Sequence, residues 1–316
     1  MKSLEICAGA GGQALGLERA GFEHLALVEI ETHACNTLLY NRPHWNVICE
    51  NICNFSATDY RGHVDLFAGG VPCPPFSKAG KQLGHKDERD LFPEALRLIS
   101  ECQPRAVMLE NVRGFLDKRF ESYRRDLVKA LGKLGFETFF NLLKASDFGV
   151  SQLRPRVVIV ALRKEIVPFF KWPEPIEPSP PTVGQLLYSL LSADGWEGAD
   201  ILRKKANKIA PTLVGGSKKH GGADLGPTRA KRAWAELGID AMGLADAPPQ
   251  KGFLGNPRLT VEMAKVIQGF PLDWHLAARK TNAYRQVGNA FPPPVAEKVG
   301  NSIKTALTKA LVASNG

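Results

Sequence analysis

The 316-residue sequence lacks the usual marks of a secreted, membrane-spanning or zinc-binding protein. No run is long and apolar enough to cross a membrane, and we expect no signal or transit peptide because the first residues already follow a strand pattern. The six cysteines are scattered, without a Cys-x-x-Cys pair, and we find no internal repeat. Since zinc sites need ligand pairs at short spacing, we predict no metal site and a cytoplasmic protein with reduced thiols.

Acidic residues are also scarce, and the excess of positive charge is unevenly distributed. The chain has 41 Lys and Arg against 32 Asp and Glu, for a net charge of +9. Between Ile201 and Arg232, nine basic residues stand against one acidic residue, Asp224. A solvated basic face is the ordinary explanation, but such clustering with interleaved glycines favours a polyanionic partner such as nucleic acid.

Apolar runs followed by polar tips predict an α/β fold with a mostly parallel sheet. The predicted parallel strands are 4–8, 25–28, 45–49, 64–68 and 106–109. Two further extended runs, 137–144 and 157–162, are expected to pair in antiparallel fashion. A proline-rich connector at 168–181 marks a predicted domain boundary.

The turn after the first strand has the pattern of a nucleotide-binding loop. Gly9, Gly11 and Ala14 fit the spacing G-x-G-x-x-G/A, and a helix pattern follows. Glycines let a ligand approach the backbone, and a helix N-terminus offers free N–H groups. Glu29 ends the next strand, where an acid can accept hydrogen bonds from a ribose. We therefore predict a cofactor that contains adenosine.

A second turn holds one thiol, Cys73, after the strand at 64–68. Two glycines precede Cys73 and three prolines surround it, which disfavours a helix and stiffens the turn. Glu110 follows the strand at 106–109, and pairing of consecutive strands would bring it to the same sheet edge. Taken alone, Cys73 is as readily a buried structural thiol as a catalytic one, and Glu110 could be an exposed carboxylate.

These motifs, in this order, resemble those of the bacterial DNA (cytosine-5) methyltransferases of restriction–modification type. The resemblance covers residues 4–162 and 257–310. It rests on five motifs, which are Glu5–Gly12, Pro72-Cys73, Glu110–Val112, Gln152–Arg156 and Gln286–Asn289. It implies a Rossmann-like, S-adenosylmethionine-dependent methyltransferase fold with an antiparallel last strand, plus a small, loop-rich target-recognition domain.

The resemblance also implies a domain organisation and a set of partners. Residues 1–178 and 283–316 would form the catalytic, cofactor-binding domain, and 179–282 the target-recognition domain. The expected substrate is double-stranded DNA, and a cognate restriction endonuclease would act separately. We expect a monomer in the bacterial cytoplasm, associated with the nucleoid and not with a membrane.

The implied reaction transfers a methyl group to C5 of a cytosine that is flipped out of the duplex. Cys73 would attack C6, and Glu110 would protonate N3 of the base. Arg156, with Arg154 behind or beside it, would bind the base O2 or a phosphate; alternatively both arginines are surface charges. β-Elimination would then release the C5 proton and Cys73.

Two sets of binding residues complete the predicted site. The cofactor set is Glu5, Cys7, Ala8, Gly9, Gly11, Gly12, Glu29, Ile30, Asn51, Ile52, Pro72, Leu91 and Asn289. The DNA-binding set is Ser77, Lys81, Gln82, Arg89, Lys218, Lys219, Arg229 and Arg232. Three positions depart from the family pattern, because Cys7 replaces Phe, Asn51 replaces Asp, and Pro74 replaces Gln.

Other classes of protein account for less of the sequence. A nicotinamide-dependent oxidoreductase shares the glycine turn and Glu29, but it leaves Cys73, Glu110 and the basic segment unexplained. A tRNA (cytosine-5) methyltransferase shares the core motifs, although a sizeable basic domain suits duplex DNA better. A non-catalytic DNA-binding relative would have lost the cysteine or the acid. An adenine or N4-cytosine methyltransferase would show an Asp/Asn-Pro-Pro-aromatic motif, and we find none.

Overall fold

A computed structural model describes residues 1–72, 90–215 and 224–315, which include a seven-stranded sheet. Its strands are β1 (Lys2–Ile6), β2 (Glu23–Glu29), β3 (Val47–Cys49), β4 (Leu66–Gly69), β5 (Ala106–Val112), β6 (Phe136–Lys144) and β7 (Pro155–Arg163). Their order is β3-β2-β1-β4-β5-β7-β6. The first five are parallel, whereas β7 runs antiparallel to both β5 and β6. The mostly parallel sheet with an antiparallel last strand is thus confirmed.

Helices connect the strands and continue beyond them. In the described part of the chain they are α1 (Gly12–Arg19), α2 (Thr32–Asn41), α3 (Phe92–Cys102), α4 (Glu121–Lys133), α5 (Val183–Leu191), α6 (Ala199–Lys205), α7 (Thr228–Glu236), α8 (Val261–Ile267), α9 (Lys280–Asn289) and α10 (Pro293–Asn315). None of these helices is long and apolar enough to span a membrane.

The sheet is buried between two layers of helices. Successive side chains of a strand point to opposite faces, so β4 and β5 each contribute to two hydrophobic clusters. Phe67 packs in the cluster that contains residues of α3 and α4, while its neighbours Leu66 and Ala68 pack with α1 and α10. This double burial holds the strand ends rigidly, which matters because those ends carry the polar residues described below.

The predicted target-recognition region contains α5 to α8, joined by irregular segments. Its apolar residues share one cluster with the first part of the chain, since Leu187 and Trp234 belong to the same cluster as Leu38 and Trp45. The predicted target-recognition region therefore packs on α2 and the residues that follow it through apolar contacts. The exact domain boundaries stay a prediction.

Candidate active site

A cavity of about 460 Å³ opens at the carboxyl ends of the parallel strands, and two groups of residues form most of it. The first group, here called the sheet wall, consists of Glu5, Cys7, Ala8, Gly9, Glu29, Ile30, Asn51, Ile52, Gly70, Pro72 and Glu110. The second group, the helix wall, consists of Asn282, Arg285, Gln286 and Asn289 on α9. Open α/β sheets place their ligands at this edge, so the cavity is the candidate site.

The glycine turn after β1 is tied to the end of β2 by the Glu29 carboxylate. The N–H of Gly9 donates to Glu29 Oε2 at 2.7 Å, and the N–H of Glu31 donates to Oε1 at 2.8 Å. The turn needs positive φ angles at Gly9 (56°) and Gly11 (81°), which glycine adopts readily. Both oxygens of Glu29 therefore have backbone donors, and its carboxylate is held at the cavity.

Gly11 and Gly12 lie behind the cavity, not on its wall, which differs from their predicted contact with the cofactor. A Cβ atom on Gly12 would lie 2.1 Å from the carbonyl oxygen of Phe291, and one on Gly11 would lie 2.6 Å from Leu38 Cδ2. Here the absence of a side chain permits close packing of the turn against α2 and the segment before α10. This placement favours a structural role for both glycines.

Eleven of the thirteen residues predicted to bind the cofactor line the cavity. They are Glu5, Cys7, Ala8, Gly9, Glu29, Ile30, Asn51, Ile52, Pro72, Leu91 and Asn289. Most of the helix wall was not predicted, since only Asn289 stood among the expected residues. Helical spacing could have found the others, because Asn282, Arg285 and Gln286 precede Asn289 by seven, four and three positions.

Three buried polar atoms of the cavity residues have no hydrogen-bond partner in the described structure. They are Glu5 Oε2, Arg285 Nε and Gln286 Nε2. The amide of Gln286 is fixed from its other side, because Thr37 Oγ1 donates to Gln286 Oε1 at 2.8 Å. Buried polar groups normally have partners, so one acceptor on the sheet wall and two donors on the helix wall are left unpaired in the described structure.

Burial changes the proton affinity of the acids and the thiol in the sheet wall. It raises the pKa of Glu5 well above the usual value, and the nearby charge of Glu29 adds to the effect. Burial also raises the pKa of Glu29, although its backbone donors oppose the shift. The pKa of Cys7 rises to about 12, first through burial and then through Glu29. Cys7 is therefore a neutral thiol at physiological pH and a poor nucleophile.

Glu110 and Arg156 form a largely buried ion pair at the cavity. Arg156 Nε lies 2.7 Å from Glu110 Oε1, and the two side chains are 13% and 11% exposed. Antiparallel pairing brings them together, because Val112, two residues after Glu110, is in register with Arg156. Burial raises the pKa of Glu110, and the charges of Arg156 and Arg154 oppose that rise. The net effect is a carboxyl group that holds its proton to higher pH than an exposed glutamate does.

Arg154 is placed differently from its prediction as a residue that contacts the base or a phosphate. The side chain is completely buried, and its guanidinium donates to the carbonyl oxygens of Leu213 (2.9 Å), Gly288 and Ala290 (both 2.8 Å). Because backbone carbonyls occupy both Nη atoms inside the protein, this geometry favours a structural role over the predicted catalytic one.

Cys73 lies outside the described residues, and so do Pro74, Ser77, Lys81, Gln82, Arg89, Lys218 and Lys219. The residues just before Cys73 are at the cavity. Pro72 lines it, and Asn111 Nδ2 donates to the carbonyl oxygen of Val71 at 2.9 Å. This bond ties the approach to Cys73 to the residue after Glu110.

Two predicted DNA-binding residues that are described lie away from the cavity walls. Arg229 and Arg232 are exposed and three positions apart on α7, so they share one face of that helix. No group of three or more His, Cys, Asp or Glu residues in the described ranges could hold a metal ion.

Sequence comparisons relate this chain to DNA methyltransferases. The model of the family of C-5 cytosine-specific DNA methylases matches residues 1–305. Type II methyltransferase M.NgoMIV of Neisseria gonorrhoeae is 57% identical over 310 residues, which cover 97% of this chain and 98% of that protein. M.NaeI of Lentzea aerocolonigenes is 57% identical over 312 residues, which cover 97% and 75% of the two chains.

Solved structures show the same fold at much lower identity. A mutant of Spodoptera frugiperda DNMT2 matches with a TM-score of 0.67 and 19% identity, over 96% of this chain and 99% of that one. Entamoeba histolytica methyltransferase EhMeth matches with a TM-score of 0.67 and 15% identity, over 98% of each chain. At such identities the likeness establishes the fold alone.

Proposed function

The chain belongs to the family of C-5 cytosine-specific DNA methylases, and we propose that it carries out that reaction with Cys73, Glu110 and Arg156. It transfers a methyl group from S-adenosylmethionine to C5 of cytosine in DNA. The observation that carries the residue assignment is the Glu110–Arg156 ion pair at the cavity, beside the segment that leads into Cys73.

The polar groups of the cavity fit S-adenosylmethionine. The cofactor carries cationic sulfonium and ammonium groups, and the sheet wall offers the carboxyl groups of Glu5 and Glu29. The cofactor also carries a carboxylate, and the helix wall offers donors on Arg285 and Gln286. When bound, it supplies an electrophilic methyl group. Ile30, which is 60% exposed at the cavity, offers an apolar surface for a flat ring.

Glu110 is proposed to deliver a proton to N3 of the target base. Burial keeps a proton on its carboxyl group to higher pH than on an exposed glutamate, as a general acid requires. Arg156 holds this carboxyl group in place through the 2.7 Å contact and stabilises negative charge at O2 of the base. Protonation at N3 makes C6 more electrophilic, which prepares the base for attack by a thiolate.

Cys73 is proposed to form a covalent bond to C6. The new bond turns the ring into an enamine, and its C5 atom then takes the methyl group. Loss of the C5 proton and cleavage of the bond to Cys73 restore the aromatic ring. Because a paired base is out of reach, the cytosine is flipped out of the duplex at a cost of a few kcal/mol.

Target recognition is proposed for residues 179–282, with catalysis in 1–178 and 283–316. Arg229 and Arg232 are exposed on α7 and are free of the cavity, so they can reach DNA phosphates or bases. Lys218 and Lys219 belong to the same basic stretch of sequence. We place the enzyme as a monomer in the bacterial cytoplasm, at the nucleoid, with a separately acting restriction endonuclease of the same specificity.

Covalent trapping tests the role of Cys73. Bisulfite sequencing of DNA from cells that express the protein first identifies the methylated site. A duplex with 5-fluorocytosine at that position should then form a complex that survives denaturing gel electrophoresis with wild-type protein, because fluorine blocks the elimination. Cys73→Ser should abolish the complex, whereas Cys49→Ser, at an exposed thiol, should retain it. Trapping by Cys73→Ser would overturn the assignment, and faster labelling of tRNA than of DNA would favour an RNA substrate.

A further inference from the structure

Two glycines bring distant parts of the backbone into direct contact. A Cβ atom on Gly288, near the end of α9, would lie 2.3 Å from the Cα atom of Gly215. A Cβ atom on Gly215 would lie 2.5 Å from Asn289 Oδ1 and 2.8 Å from the carbonyl oxygen of Arg285. There is no room for a side chain at this contact, so the segment 213–215 rests directly on the last turn of α9.

Three buried side chains, Gln152, Arg154 and Gln268, hold the two segments together; we refer to them as the clamp. Arg154 donates to the carbonyl oxygens of Leu213 on one side and of Gly288 and Ala290 on the other. Gln152 Oε1 accepts from the N–H of Leu213, and Gln152 Nε2 donates to Gln268 Oε1, both at 2.8 Å. Gln268 Nε2 donates in turn to the carbonyl oxygen of Ala290 at 2.5 Å.

The clamp has one favourable geometry. All three of its side chains are completely buried. A shift of the segment 213–215 would break the hydrogen bonds that join Leu213 to Arg154 and Gln152, and unsatisfied buried polar groups are costly. The position of this segment relative to α9 is therefore well defined.

The contact joins the two ligand-binding parts of the enzyme. Gly215 directly precedes the stretch of sequence that contains Lys218 and Lys219. Asn289, which Gly215 touches, lines the cofactor cavity on the other side. The clamp consequently fixes the position of Gly215 relative to the cavity. The predicted DNA-binding lysines follow Gly215 in the sequence.

We propose that Arg154 and Gln152 are positioning residues for DNA binding, which act by seating the segment 213–215 on α9 and do not contact the target base. The proposal rests on the proposed function in taking DNA as the substrate and Lys218 and Lys219 as residues that bind it. It predicts that damage to the clamp raises the KM for DNA and leaves kcat nearly unchanged. The catalytic pair Glu110–Arg156 makes its ion pair without any atom of the clamp.

The first test compares Arg154, directly before β7, with Arg163, the last residue of that strand. Arg154→Lys keeps the positive charge but cannot bridge three carbonyl oxygens. Arg163→Lys is the matched control, because Arg163 also donates to backbone carbonyls, those of Pro104 and Leu134, far from the segment 213–215. We expect Arg154→Lys to raise the KM for DNA roughly tenfold. Arg163→Lys should keep it within about twofold of wild type.

A second variant tests the proposal even if Arg154→Lys does not fold. Gly215→Ala changes no side chain of the clamp and pushes the segment off Asn289 and Arg285. It should raise the KM for DNA as well, with the pH profile of kcat unmoved. A fall in kcat with an unchanged KM for DNA in Arg154→Lys would overturn the proposal in favour of a catalytic contact. So would equal KM values in Gly215→Ala, Arg163→Lys and wild type.

The proposal and the function on which it rests fail in different ways. If wild-type protein does not methylate DNA, the proposed function is wrong. If wild-type protein methylates DNA and either Arg154→Lys or Gly215→Ala leaves the KM for DNA no higher than that of Arg163→Lys, only the positioning role is wrong.

Discussion

The two walls of the cavity differ in charge and in the way the fold presents them. The sheet wall carries three carboxyl groups at strand ends or just before them, Glu5, Glu29 and Glu110, and burial raises the pKa of each. The helix wall carries a guanidinium and three amides, spaced along one face of α9. The strand ends hold the buried carboxyl groups in fixed positions, whereas α9 presents its donors through helical spacing.

Because of this difference, we expect the two walls to play different chemical roles. Burial disfavours the ionised form of the sheet-wall acids, so they reduce the stability of the free protein at high pH. The same burial strengthens the attraction between a cationic group and an ionised acid, and it makes Glu110 a proton donor. The helix wall is expected to orient the cofactor at little cost to stability. Substitutions at three positions test this difference between the walls, beginning with the largest expected effect.

Glu110→Gln should reduce kcat by about two to three orders of magnitude, because the amide keeps the shape but cannot deliver a proton. The raised pKa also sets a pH dependence. The protonated fraction of Glu110 falls as pH rises through that value, so wild-type kcat should fall on the alkaline side and the variant should lose this dependence. Initial rates of methyl transfer measure both. Glu94→Gln on α3 is the control, and an equal loss there would contradict the assignment.

Glu5→Gln should raise the KM for S-adenosylmethionine roughly tenfold and yet stabilise the free protein. Protonated Glu5 contributes stability below its unfolded pKa, near 4.5, and this contribution is lost as pH rises through the raised folded pKa. Glutamine is neutral throughout, so its advantage should grow with pH. Thermal unfolding at about pH 5 and about pH 8 measures it, with exposed Glu23→Gln as the control. If Glu5→Gln were less stable than wild type at about pH 8, burial of the Glu5 carboxyl group would not be destabilising.

Gln286→Met should have the smallest effect, raising the KM for S-adenosylmethionine roughly threefold to fivefold with kcat unchanged. It removes one neutral donor from the helix wall. Gln286→Glu is the sharper variant, because it gives this wall the acidic character of the sheet wall and should raise the KM further. Titration calorimetry with the methylated or demethylated cofactor supplies the binding constants. Equal affinity in Gln286→Glu and wild type would show that the helix wall does not face the cofactor's carboxylate.

Most of the sheet wall could be predicted because its signals are local. An apolar run followed by a glycine or an acid marks a strand end, and parallel strand ends meet at one edge of a sheet. Glu29 and Glu110 were found in this way, and the adjacent pairing of β4 and β5 agrees with the expected proximity of Cys73 and Glu110. Most of the helix wall was not predicted. The sequence motif indicated Asn289 only, whereas Arg285 and Gln286 lie on the same face of α9 one turn earlier.

By itself, the sequence specified the fold class, the polar residues at the strand ends and the reaction family. The fold class depends on hydrophobic periodicity, and the other two depend on short contiguous motifs. Only the tertiary structure distinguished Arg154 from Arg156. These arginines are two positions apart at the start of one strand, yet one meets carbonyl oxygens of Leu213, Gly288 and Ala290, and the other meets Glu110. The same is true of Gly11 and Gly12, whose neighbours come from other parts of the chain. A residue's role in such places follows from partners that are distant in sequence, and a local pattern carries no information about them.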